Sequence, residues 1–142
     1  MLINVIRKFK NEKGQAFVEF AIVLPLLLMI LCGIIDYGWI FTNQNIIDHC
    51  AREGARYAII HAADSGTITE IKEKIATYTK DLAPSNISNS LIVTVTFTNS
   101  SPRLGDVKVK VNRDTEALTP IAGIFTTGQT INLTSSCTMK VE

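Results

Sequence analysis

Three groups of side chains in this sequence have types and spacings that could do chemistry. Glu19 is the lone charge in the apolar run "QAFVEFAIVLPLLLMILCGII", from Gln15 to Ile35. A carboxylate in hydrocarbon is costly and as a rule has a partner, so its chemistry would be that of a buried ion pair, the alternative being a protonated or snorkelling residue near the membrane edge. His49, Cys50, Glu53 and His61 make a second group. His49 and Glu53 share a helix face at i,i+4, while the adjacent His49 and Cys50 diverge. Two ligands on one face fall short of the three or four that a metal site needs, so no metal and no cofactor are expected. The cysteines are the third group: Cys50 and Cys137 are candidates for a disulfide, and Cys32 lies inside the apolar run. The sequence contains no G-x-S-x-G, no H-E-x-x-H and no phosphate-cradling glycine loop, so an enzyme is not expected.

The elements that position these groups start with the apolar run. About 20 helical residues cross a hydrocarbon core of roughly 30 Å, and residues 15–36 supply that length as one transmembrane helix. Arg7, Lys8, Lys10 and Lys13 against Glu12 precede it, whereas Asp36 and Asp48 follow it with no basic residue before Arg52. The positive-inside bias therefore puts residues 1–14 in the cytoplasm and residues 37–142 outside an inner membrane. The net charge of +1 leaves no basic excess on the exported part, and nucleic acid is not an expected partner; membrane lipid is.

Three readings of the segment compete. A cleaved secretory signal needs a small-residue A-x-A site after its apolar core, and "CGIIDYGWIF" offers none. A plain signal anchor fits the length and the charge bias but leaves Glu19 unexplained. A prepilin-type signal explains it: a prepilin peptidase cuts on the cytoplasmic side, after Gly14, so that Gln15 becomes the first residue and Glu19 the fifth. Glycine leaves the scissile backbone accessible and extended. The new α-amino group, cationic below a pKa of about 8, can pair with Glu19 of a neighbouring subunit. The leader carries a net +3, and its loss leaves the remaining chain at −2.

Beyond the membrane, "WIFTNQNIIDHCAREGARYAIIHAA" continues in helical character. Ile47, Cys50 or Ala51, Gly54 and Ala58 form a stripe of small side chains that lets another element approach closely, the chain's own sheet being favoured over a second subunit. Asp48 with Arg52, and Glu53 with Arg56, have ion-pair spacing on the opposite face. "SGTITEIKEKIATYTKDLA" reads as a capped amphipathic helix and "PSNISNS" as a polar loop. "LIVTVTF" and "VKVKVNR" alternate as the strands of an antiparallel hairpin about the turn "NSSPRLGD". "TEALTPIAGIF" reads as a second short helix or turn, and "TTGQTINLTSSCTMKV" as a last strand. The fold class is α+β and pilin-like: a long N-terminal helix continuing into a small domain with a three-stranded antiparallel sheet and one or two short helices. A Cys50–Cys137 bond would tie that helix to the last strand and close a loop of about 85 residues. In the chain-entropy model such a loop contributes about 4 to 5 kcal/mol.

"GQAFVEFAIVLPLLLMILCGIIDYG" followed by "CAREGARYAII" resembles the TadE-like family of pseudopilins of the tight-adherence (Flp-type IV) pilus machinery, closely from about Gly14 to Ile60 and again in "LTSSCTMKVE". The resemblance implies processing by a prepilin peptidase, residence in the inner membrane or pilus, and work in pilus assembly, adhesion or secretion. Its implied partners are other pilins or pseudopilins and the tight-adherence inner-membrane platform. It assigns Gly14 and Gln15 to the cleavage site, Glu19 to the assembly carboxylate, and Arg52, Glu53, Gly54, Ala55 and Arg56 to a helix signature. Cys50 departs from the small alanine more usual before that signature. The alternative is a non-processed single-span membrane protein that displays an extracytoplasmic binding domain.

Overall fold

The computed structural model describes residues 12–98, 105–119 and 130–141. Helix α1, Glu12–His61, runs unbroken for 50 residues, about 75 Å at 1.5 Å per residue. Leu, Ile, Met and Ala favour the helix through the apolar run, and Pro25 is accommodated within it. The segment 15–36 and the helical stretch after it are thus one element, with no backbone break at Asp36.

The two halves of α1 differ in their surroundings. From Gly14 to Ile35 most of its side chains are exposed, with Phe17, Ile22 and Ile34 all more than half so. From Asp36 onward one face is buried: Asp36, Asn43, Ile47, Cys50, Ala51, Gly54, Ala55 and Ala58 recur at steps of three, four or seven, and Ala62, just past the helix end, is buried too. This stripe lies against β2, β3 and α2.

Helix α2, Ile68–Asp81, starts in a capping box: the Glu70 amide donates to the Thr67 hydroxyl, and Thr67 N–H donates to the Glu70 carboxylate. Ile71, Ile75 and Thr79 are its buried face. The expected loop "PSNISNS" instead contains one helical turn, α3, Ser85–Ser88. Pro84 presets the backbone ahead of it, the amides of Ile87 and Ser88 donate to the Pro84 carbonyl at 2.8 and 2.9 Å, and Ile87 is thereby buried in the core.

The sheet has the order β1 (Leu91–Phe97), β2 (Gly105–Glu116), β3 (Thr130–Val141), antiparallel throughout. Val95 pairs with Val109, which pairs with Cys137. Leu91 and Val95, then Val107, Val109 and Val111, and Leu133 and Val141 are buried on the face toward α1, while Lys108 and Lys110 stay in water. A sheet of this size with one apolar face is marginal alone; α1 covers β2 and β3, and α2 covers β1. Gly105 opens β2 at φ 117°, a conformation that a side chain would strain. The protein is therefore an α+β fold: a long N-terminal apolar helix, a three-stranded antiparallel sheet and two short helices. β2 extends through Thr115 and Glu116, where a helix or turn was expected to start. Residues 117–119 of that expected helix are irregular rather than helical, and its residues 120–125, most of the turn "NSSPRLGD" and the leader before Glu12 lie outside the described residues.

Candidate functional site

The N-terminal site is a stretch of exposed helix. Gly14 and Gln15 are exposed within the first turns of α1, so their backbone is helical where an accessible, extended one was expected at a scissile bond. Glu19 lies one turn further, exposed, on a surface of Phe17, Val18, Phe20, Ile22 and Val23. Gly14 and Glu19 are about 7 Å apart along the helix axis. The helix thus presents a carboxylate and the Gly14–Gln15 bond close together on an apolar rod. Among the described residues one helix is long and apolar enough to cross a membrane, and none of that apolar window is buried by the rest of the protein. It supports a single-pass membrane topology.

The signature "CAREGAR" divides by helix face. Ala51, Gly54 and Ala55 are buried, whereas Arg52 and Arg56 are exposed. Gly54 is where α1 and α2 come closest: a Cβ placed there would stand 2.4 Å from Thr79 Oγ1 and 3.0 Å from its Cγ2. Thr79 cannot easily turn away, because it is fully buried and its hydroxyl donates to the Ile75 carbonyl at 2.7 Å. The small-residue stripe is accordingly shared between the sheet and α2. Glu53 and Arg56 form the expected exposed ion pair at 3.7 Å. Asp48 and Arg52 do not form theirs: the Arg52 Nε–H donates to the Asp48 backbone carbonyl at 3.3 Å, and the Asp48 carboxylate accepts from Gln44 Nε2 at 3.0 Å. A neutral amide one turn back competes successfully for a solvated carboxylate whose ion pair would contribute little.

The junction between the apolar rod and the domain holds residues that sequence reasoning missed. Asp36 is 5% exposed, and its Oδ1 accepts from the backbone amides of Leu118 and Thr119 at 3.0 and 2.9 Å. Its Oδ2 accepts from the Thr119 hydroxyl. Seven residues along, buried Asn43 donates to the Trp39 carbonyl at 2.8 Å and accepts from Arg113 Nη1. Arg113 Nε also donates to Ser90 Oγ at 3.1 Å. Burial pulls the Arg113 guanidinium below its usual range. These contacts fasten the end of β2 to the first turns of α1 beyond its lipid-like surface. The seven-residue step from Asp36 to Asn43, continued by Cys50, carried the signal, because it sets two polar residues on the stripe that is otherwise apolar.

Cys50 and Cys137 are free thiols in the helix–sheet core, and burial pushes the Cys50 thiol up. Cys32 is also free, half-buried on the apolar rod. His49 is exposed, and His61 is stacked on Tyr57, with ring centroids 3.8 Å apart and Nδ1 3.0 Å from the Tyr57 carbonyl. Tyr57 in turn stacks on Tyr78 at 3.9 Å, so His61 closes an aromatic ladder between α1 and α2. Among the described residues no group of three His, Cys, Asp or Glu side chains is arranged to hold a metal ion.

Fold and site together define a small α+β domain carried on a single apolar helix that is suited to cross a membrane. The family model described as TadE-like protein matches residues 14–56, which covers Gly14, Glu19, Asp36 and the whole "CAREGAR" signature. Over that stretch the chain is similar to TadE-like proteins. No curated protein and no solved structure gives a match.

Proposed function

We propose that this chain is a minor pilin or pseudopilin of a tight-adherence (Flp-type IV) pilus, processed after Gly14 by a prepilin peptidase and acting in pilus assembly, adhesion or secretion. One observation carries the reading: Glu19 is the lone carboxylate in the exposed apolar stretch 15–35 of α1, within the residues that match the TadE-like family. In this reading the leader faces the cytoplasm and the α+β domain faces outward, as the leader's basic residues favour. Cleavage converts Gln15 into a cationic chain end, and Glu19 of an adjoining subunit neutralises it. Both ions lie at the apolar surface, so each leaves an uncompensated charge without the other, and assembly becomes selective for subunits in register. The signature Arg52 to Arg56 acts differently: Gly54 and Ala55 seat the domain on the helix, while Arg52, Glu53 and Arg56 remain available to the platform or to other pilins.

The test is Glu19→Gln in cells that assemble the pilus. The substituted protein should insert into the membrane and be trimmed normally, yet be absent from sheared pili or from assembly complexes recovered by crosslinking. Unchanged incorporation would point to a single-span display protein and refute the assembly role.

A further inference from the structure

Cleavage after Gly14 would make a glutamine, Gln15, the chain end. A glutamine in that position carries an amino group and a side-chain amide at the separation that closes an unstrained γ-lactam, so the two react within one residue and need no partner. The structure leaves this end unobstructed. Gly14 and Gln15 are exposed, and a Cβ placed at Gly14 would meet no other element within 4 Å. The Gln15 side chain has no hydrogen-bond partner among the described residues. Closure requires a gauche χ1, which swings Cγ back over the residue's own nitrogen. Inside a helix the preceding turn obstructs one gauche rotamer, and at a cut end that turn is gone.

What opposes closure is charge. Only the uncharged amine has a lone pair with which to attack, and an ammonium held by a carboxylate has none to offer. Glu19 is the one carboxylate on the apolar stretch that starts at Gln15, and it too is exposed and without a partner among the described residues. In a single subunit the end and Glu19 stand in water or at the membrane edge, where an ion pair contributes little. Between adjoining subunits the same two ions meet in an apolar contact, where neither is stable without the other.

We propose that Gln15 is a modification site: an unassembled, trimmed subunit closes its end to pyroglutamate, and docking onto Glu19 of an adjoining subunit keeps the end open. The amino nitrogen attacks Cδ of the Gln15 amide, and the new C–N bond closes the ring. The old C–N bond breaks, and the amide nitrogen takes a proton from the amine and leaves as ammonia. Nothing is oxidised or reduced. The lactam nitrogen carries no charge, so a closed subunit leaves its neighbour's Glu19 uncompensated and is excluded from assembly. Closure thus retires subunits that have waited in the membrane. The inference rests on the proposed cleavage after Gly14 and adds what switches the assembly ion pair off.

The test is an overnight chase in cells that assemble the pilus, with protein synthesis stopped and the N-terminal peptide weighed from the membrane pool and from sheared pili. A closed end is lighter by one ammonia and resists Edman degradation. In the membrane pool the closed form should grow throughout the chase. In pili it should be at least about tenfold rarer, the exclusion that one lost ion pair in an apolar contact supplies. Gln15→Met keeps the length of the side chain but has no carbonyl carbon to attack, so its end should stay open in both fractions. Glu19→Gln, which the assembly reading keeps out of pili, should close in the membrane pool at least as far as the unmodified protein. A chain that starts at Gln15 and stays open in the membrane pool, or closed ends equally frequent in pili and pool, would overturn the proposal while leaving the cleavage intact. A chain starting at Met1 would instead refute the cleavage itself.

Discussion

Replacing Gly54 by alanine tests the packing on which the signature helix depends. On an isolated helix the change would stabilise by about 1 kcal/mol, because glycine is the poorer helix former. Here the added methyl would stand 2.4 Å from Thr79 Oγ1 and 3.0 Å from Cγ2, well inside contact distance. Thr79 is β-branched, fully buried and bonded to the Ile75 carbonyl, so relief requires α1 and α2 to separate or the Thr79 rotamer to break that bond. Overpacking of this kind costs about 1 to 3 kcal/mol, and a lost buried hydrogen bond adds about 1. After the propensity gain the net loss is about 1 to 3 kcal/mol, or a fall in melting temperature of roughly 5 to 15 °C for a domain of this size. The assay is thermal unfolding of the full-length protein in detergent, followed by near-ultraviolet circular dichroism. Thr79→Ala in the same chain removes both clashing atoms and leaves the Thr79 Cβ position 3.3 Å away, so the double variant should recover at least half of the loss. A Gly54→Ala protein that melts at or above the unmodified temperature would refute the close approach of the two helices.

Asp36→Ala should release Leu118 and Thr119, whose amide protons should exchange at least tenfold faster by hydrogen exchange, with a global loss of about 2 to 4 kcal/mol. Asp36→Asn should be milder, since its carbonyl oxygen can still accept both amides. Native alkylation followed by mass analysis should leave Cys50 unmodified until the domain unfolds, because it is 1% exposed and its thiol is raised by burial. A chain isolated from the envelope with Cys50 and Cys137 already joined would give no such label even when unfolded without reductant, and would establish the bond proposed from sequence. Asp64 accepts from Lys74 Nζ at 2.8 Å, which lowers the carboxyl and raises the ammonium. The pair's small contribution should be full between about pH 5 and 9, disappear as acid protonates Asp64 below its depressed pKa, and disappear again as alkali deprotonates Lys74 above its raised one. Lys74→Met should therefore shift the melting temperature slightly at neutral pH and not at all near pH 2.

The strands and the long helix were legible in sequence because each has its own periodicity: alternation in "LIVTVTF" and "VKVKV", and small residues at helical steps after Ile47. The capped helix at Thr67 was legible for the same local reason. What escaped is non-local. Asp36 looks like a charge marking the end of a membrane span, and only the fold brings Leu118 and Thr119 to it across more than eighty residues. Asn43 and Arg113 meet in the same way, seventy residues apart. The turn at Ser85–Ser88 was concealed by polar composition, with burial of Ile87 deciding the outcome. The Asp48–Arg52 spacing was correct for an ion pair, but Gln44 occupies the carboxylate. Glu19 shows the reverse relation: its oddity is visible in sequence alone, and the structure adds that no part of the domain covers it.

The most direct test of the account is the N-terminal sequence and intact mass of the protein extracted from membranes of cells with and without their prepilin peptidase. Processing after Gly14 predicts a chain starting at Gln15 when the peptidase is present and at Met1 when it is absent. A chain starting at Met1 in both strains, or one starting beyond Ile35, would contradict it.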